Sequence, residues 1–203
     1  MVVKDKANPL EKIRVLLKDQ KGLLFTSDLV KHNISRTYLS IMEKKGEVQR
    51  ISRGVYSAAG NVMDEMMGLQ ARFREAIFSH ETASYLLNLT DRTPLFYSLT
   101  VPSGYNATSL KSTGAKVYFV NRKLYSLGLT TVKSSHGNTI KTFNLERTIC
   151  DLLRSRNQID IQQVNDALKR YVQSKEKDLD LLYNYARQFR IQKMVREYIE
   201  VLL

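Results

Sequence analysis

The stretch FTSDLVKHNISRTYLSIMEKKGEVQRISRGVYS, Phe25–Ser57, decides the fold of the first part of this chain. Its apolar residues recur at helical spacing through Leu29 and Val30, then through Leu39, Ile41 and Met42. These positions are expected to face inward. Between the two runs stands Asn33, a residue that tolerates left-handed backbone in a turn. Thr26 or Ser27 is expected to cap the first helix, with Asp28 in its first turn, and Ser35 to cap the second, over 36–45. Gly46 stops that helix. Val48–Ile51 then alternates, Ser52-Arg53-Gly54 turns and Val55–Ser57 returns, the pattern of a short hairpin. Upstream, Pro9 opens a helix carrying Leu10, Ile13, Leu16 and Leu17, and Gly22 ends it. Helix, turn, helix and basic hairpin in this order predict a winged helix-turn-helix, a module that lays one helix in the DNA major groove.

The helix over 36–45 is the expected reader. Arg36, Thr37, Tyr38 and Ser40 stand at its start, where recognition helices meet base edges. Arginine can bond guanine bidentately, and threonine or tyrosine can reach phosphate or a thymine methyl. Lys44 and Lys45 at its end suit phosphates, and equally suit the C-terminal end of the helix dipole. Arg50 and Arg53 ride on the hairpin, placed for phosphate or the minor groove. Tyr56 is expected to pack in the core against the first helix.

Charge agrees with this reading. The 203-residue chain carries 32 Lys and Arg against 20 Asp and Glu, a net of +12. Residues 1–60 hold 12 basic and 6 acidic residues, half of that excess in under a third of the length. Such an excess attracts polyanions at long range. Three prolines and nine glycines leave no room for long low-complexity linkers. The apolar runs fall far short of the roughly 20 residues that span a bilayer, and MVVKDKANPLEK lacks an apolar signal core. With Cys150 the only cysteine, no intramolecular disulfide forms, and a cytoplasmic location is expected.

Residues 61–203 read as mixed α and β. A linking helix is expected over 64–78, within 61–79, and Ser79 is placed to cap a helix over 80–88. Strand-like runs follow at Phe96–Val101, Lys116–Val120, Thr130–Ser134 and Thr139–Phe143, with a turn at Ser135–Asn138. Helices capped by Asn144, Asp160 and Asp178, and a last one over 191–203, make a helical C-terminal third. The fold class is therefore α+β: a winged helix-turn-helix over 1–60, then a mixed α/β domain over 61–203.

His80, Glu81, Glu146, Arg147 and Asp151 are the polar candidates for chemistry. No metal-spaced His/Cys set, phosphate loop or nucleophile elbow accompanies them. A hydrogen-bonded cluster pinning helix 145–154 to the sheet is expected in place of catalysis, with no cofactor. Cys150 reads as a buried small hydrophobe. Arg154, Arg156, Lys169 and Arg170, and then Arg187, Arg190, Lys193 and Arg196 at intervals of three, form a possible basic functional face or a solvated one.

The run Leu24–Ala58, ending in RISRGVY (Arg50–Tyr56), resembles the N-terminal domain of AbiEi-family antitoxins from type IV abortive-infection toxin–antitoxin pairs. AIFSHETASYLLNLTD (Ala76–Asp91), NLERTICDLLR (Asn144–Arg154) and ALKRY (Ala167–Tyr171) resemble that family's second domain in type and order. The resemblance implies an antitoxin that also represses its own operon. It implies promoter DNA with inverted repeats as one partner. It implies, as the other, a nucleotidyltransferase-like toxin that is opposed without a stable complex. It tilts the basic face toward the working surface of the second domain. A monomer that pairs on DNA is expected, since no heptad run is long enough for a coiled coil. A ligand-responsive winged-helix regulator without a toxin is the alternative reading.

Overall fold

The computed structural model describes residues 8–20, 22–52, 54–60 and 64–202. Arg53, expected on the hairpin tip, lies outside the described residues. The chain divides into two compact units. One comprises residues up to Arg74 together with 135–138, the other 75–134 and 139–203. The architecture is mixed α and β in both.

In the first unit α1 spans Pro9–Asp19, and the Asn8 side chain accepts from the Leu10 N–H at its start. Gly22, at φ +86°, supplies the left-handed residue that turns the chain out of it. A strand that the periodicity did not announce, β1 (Leu23–Phe25), follows. The helix α2 (Thr26–Lys31) springs directly from it. Neither Thr26 nor Ser27 is its cap, because the helix already includes both; the Asp28 carboxylate instead accepts from the Phe25 N–H at 3.3 Å. Asn33 takes the left-handed conformation, φ +54°, before α3 (Thr37–Lys44). The hairpin β2 (Val48–Ser52) and β3 (Val55–Ala58) is antiparallel, with Ser52 opposite Val55. Ser52 thus belongs to the ladder and not to the turn. β1 pairs with the other side of β3, giving a sheet of order β1-β3-β2. A further helix, α4 (Glu65–Arg72), is capped by Asp64 and packs on β2 and β3, Gly68 meeting Ile51.

Ile13, Leu17, Leu24, Leu29, Ile34, Leu39, Met42 and Val48 form the core of this unit, with Leu10, Leu16 and Tyr56 packed against it. Two expected core residues are outside it. Val30 is 59% exposed and Ile41 37%. The reason is angular. At about 100° per residue, a helix seated on one side cannot turn both members of the adjacent pair Leu29 and Val30 inward. On α3 the i, i+3 pair Leu39 and Met42 takes the buried side and leaves Ile41 on the flank.

The second unit is built on a five-stranded sheet of order β6-β5-β4-β8-β7. Its strands are β4 (Ile77–Phe78), β5 (Ser98–Pro102), β6 (Lys116–Val120), β7 (Leu129–Lys133) and β8 (Thr139–Phe143). Pairing is antiparallel for β4 with β5 and for β7 with β8, and parallel for β4 with β8 and β5 with β6. The central strand overturns the expectation of one helix over 64–78. The helix stops at Arg72, and Ile77–Phe78 pairs with Thr100, Leu99 and Thr142. Two apolar residues carry too little periodicity to announce a strand, and long-range pairing decides their state.

Helix α5 (His80–Leu86) follows β4, and the short α6 (Thr108–Lys111) and α7 (Arg122–Tyr125) flank β6. The helical third comprises α8 (Leu145–Arg154), α9 (Ile161–Gln173), α10 (Leu179–Gln188) and α11 (Gln192–Glu200). Asn144, Asp160 and Asp178 cap the first three through their side chains, as the pattern predicts. Ser79 sits at the cap position of α5 without capping it. Its hydroxyl is engaged elsewhere. α8 is the centre of the unit: every residue from Glu146 to Leu153 is buried, against α5, α9, α10 and α11. Cys150 lies in this core, and burial pushes its thiol well above the usual range. Among the described residues, no helix is long and apolar enough to cross a membrane.

Candidate nucleic-acid interface

α3 begins at Thr37, so Arg36 occupies the position just before it. Ser35 still serves this end: its Oγ accepts from the Thr37 N–H at 3.3 Å and lies 3.0 Å from the Thr37 hydroxyl. Helical rotation then sorts the side chains. Arg36, Ser40, Lys44, Thr37 and Ile41 fall within an arc of roughly 140°, and all five are exposed. Leu39 and Met42 face the core from the opposite side. Tyr38 lies on that side too, half-buried against the core. It leaves the set of readers expected from the sequence, because at about 100° per residue it points away from Ser40. Lys45 follows α3 and is exposed, and exposed Arg50 stands on β2 opposite Tyr56. Tyr56 is half-buried against the core, its expected place.

The second unit holds a different kind of site. The His80 ring stacks on Tyr118, centroids 3.4 Å apart and planes 12° from parallel. Its Nδ1 lies 2.9 Å from Ser79 Oγ, which accepts from Thr100 Oγ1, and its Nε2 lies 3.1 Å from Ser155 Oγ. The His80 backbone is left-handed at φ +49°, a conformation non-glycine residues hold only when their surroundings impose it. Glu81 accepts from Ser98 Oγ at 2.8 Å and from Lys116 Nζ at 3.0 Å. On α8, buried Arg147 donates from Nε to Asp151 at 2.9 Å and from Nη1 to the Leu124 and Leu127 carbonyls at 2.9 and 2.8 Å. Its guanidinium lies between the Phe143 and Phe189 rings, 4.1 and 4.6 Å from their centroids. Glu146 accepts from Tyr171 and from the Asp178 N–H. The polar candidates are thus gathered on α5 and α8, and their hydrogen bonds go to neighbouring side chains and to the backbone.

Residues 11–59, the segment from α1 through β3, match the family model described as "Transcriptional regulator, AbiEi antitoxin". For this segment the match bears out the resemblance to AbiEi-family antitoxins. Among solved structures, the crystal structure of the RV2827C protein from Mycobacterium tuberculosis is similar in fold. Its TM-score is 0.62 at 10% identity, over 89% of this chain and 72% of that one. At that identity the likeness concerns the fold alone. No curated protein matches the chain.

The basic set of the second unit is dispersed. Arg154 pairs with Asp151 and lies over Phe189. Arg156 donates to the Leu153 carbonyl and touches Met194 Sδ. Arg170 pairs with Asp91, Lys193 with Glu197 and Arg196 with Glu200. Lys169, Arg187 and Arg190 are exposed. The interval of three from Arg187 to Arg196 crosses the break between α10 and α11, where Arg190 turns at φ +59°, so these four share no single helical face. Sequence reading missed Ile41 on the α3 arc, and Tyr118 and Ser155 beside His80. Ile41 was hidden by its apolar character, the other two by 38 and 75 residues of separation from His80.

Burial holds the His80 imidazole well below its usual range, and the positive Arg147, Arg154 and Lys116 push the same way. The unfolded chain therefore binds a proton that the folded one refuses. Stability is full above the unfolded value of about 6.5 and falls as pH drops below it, by up to about 1.4 kcal/mol per unit. The stability difference between wild type and His80→Gln, from denaturant melts, should be constant above pH 7 and narrow toward pH 5. A pH-independent difference would contradict this account.

Proposed function

We propose that this protein is the antitoxin of a type IV, abortive-infection toxin–antitoxin pair and the autorepressor of its operon. In this reading the first unit is a winged helix-turn-helix that binds promoter DNA carrying inverted repeats. α3 enters the major groove, and Lys44, Lys45, Arg50 and Arg53 contact phosphates. The second unit supplies the antitoxin function, against a nucleotidyltransferase-like toxin that it opposes without a stable complex, inside the cytoplasm. It acts without catalysis, consistent with His80, Glu81, Glu146, Arg147 and Asp151 all spending hydrogen bonds on internal partners. One observation carries the reading: the segment that matches the AbiEi regulator family is the one whose third helix, α3, with Arg36 just before it, gathers Arg36, Thr37, Ser40 and Lys44 on one arc.

Binding curves on the protein's own promoter and on scrambled duplexes test it. Arg36→Ala should weaken promoter binding by about 1–3 kcal/mol and relax sequence preference, whereas Lys44→Ala should weaken binding to every duplex and flatten the salt slope by about one unit. Equal affinities of wild type and Arg36→Ala for promoter and scrambled DNA would sink the DNA-reading assignment. Co-expression with the adjacent toxin gene tests the other half: growth should be rescued while pull-down recovers no stable complex.

A further inference from the structure

Within that reading, the α3 arc carries one feature that phosphate contact does not use. Ile41, 37% exposed, stands among Arg36, Ser40 and Lys44. Thr37, one turn earlier on the same arc, has its hydroxyl 3.0 Å from Ser35 Oγ, and the Thr37 N–H donates to that same oxygen. With its hydroxyl so engaged, Thr37 offers its γ-methyl. The reading surface thus has an apolar flank, Thr37 and Ile41, lying along the helix axis between Arg36 and Lys44.

On the base edges of the major groove, the apolar group is the thymine C5 methyl; the other features are hydrogen-bond donors and acceptors. We infer that Ile41 and Thr37 read thymine methyls, and that the operator places thymines where α3 enters the groove. Four residues of helix rise about 6 Å, against roughly 3.4 Å per base along a strand. The two side chains therefore reach thymines one or two base pairs apart. Arg36 and Lys44, flanking them, hold the helix in the groove.

This inference rests on the first unit's binding DNA, and its test separates the two. Duplexes enriched from a random-sequence pool by the full-length protein are resynthesised with deoxyuridine in place of one thymine at a time. The exchange deletes the methyl and keeps the base pair. The wild type should lose about fourfold in affinity at one or two positions, the worth of one buried methyl group. Ile41→Ala should bind the thymine duplex about that much more weakly and show no further loss on the deoxyuridine duplex at its position. Thr37→Ser, which keeps the hydroxyl, should lose the response at the second position. Both variants should still melt cooperatively, Thr37→Ser close to wild type and Ile41→Ala only modestly lower, since Ile41 is 37% exposed and outside the core. A wild type indifferent to every methyl, or an Ile41→Ala protein that senses each methyl as wild type does, overturns the inference and leaves DNA binding standing. A Thr37→Ser protein with an unchanged response removes Thr37 from it. Failure to bind any duplex overturns both the inference and the DNA-binding role.

Discussion

Replacing Arg147 with alanine should lower the unfolding free energy by about 3–5 kcal/mol, the cost of breaking one partner out of a buried ion pair. Arg147 is fully buried, and three separate attachments depend on it. Its Nε neutralises Asp151, which is itself 1% exposed. Its Nη1 satisfies two carbonyls of the α7 segment. Its plane fills the gap between Phe143 and Phe189. Alanine leaves a carboxylate facing the core with only Arg154, at 3.4 Å, to compensate, and takes the Nη1 donor from the Leu124 and Leu127 carbonyls. Gly128 marks how closely the chain passes this side chain. A Cβ there would lie 2.6 Å from both Arg147 Cβ and Asn144 Oδ1. Guanidinium denaturation of wild type and variant measures the effect, and a loss under about 1 kcal/mol would mean that the pair is not structural. The double variant Arg147→Met, Asp151→Leu should recover most of the loss, because removing both charges removes the desolvation cost along with the attraction.

Leu39→Ala should cost about 2–5 kcal/mol in the first unit, the range for deleting a buried leucine. Leu39 is 1% exposed, and with Met42 it is one of the two fully buried residues of the eight-residue α3. The cavity would open between this helix and its neighbours in the small core around Ile13, Leu29 and Ile34. The helix whose outer arc is proposed to read DNA is held from its inner side by these contacts. Promoter affinity should therefore fall with stability, although Leu39 itself cannot reach a base. Leu39→Met, near equal in volume, should cost less than about 1.5 kcal/mol and keep affinity. Loss of affinity in Leu39→Met at full stability would show that DNA binding depends on Leu39 itself and not on the seating of α3.

The helical third shows how much was local. Asn144, Asp160 and Asp178 each cap the helix that the sequence assigns to them, because a side-chain acceptor meets a backbone N–H two or three residues on. β5, β6, β7 and β8 were legible as alternating or β-branched runs. β1 and β4 were not, since three and two apolar residues satisfy no period. The candidate DNA-facing helix was legible in position and charge. Its membership was not, because turning Tyr38 against the core and exposing Ile41 depends on which side of α3 the core of α1 and β2 occupies.

Local chemistry thus determined where three helices of the C-terminal third begin, that the first sixty residues carry helix, turn, helix and hairpin, and that the chain is basic. Tertiary structure alone decided what pairs across distance. It set Ile77–Phe78 into the centre of a sheet, brought His80 to Ser155 and Tyr118, and closed Phe189 over Arg147. It also dispersed a basic series that looked continuous in the sequence. Caps and periodicities act over about four residues, within reach of a single turn. Burial and long-range pairing are properties of the whole packed chain, and no window of sequence contains them.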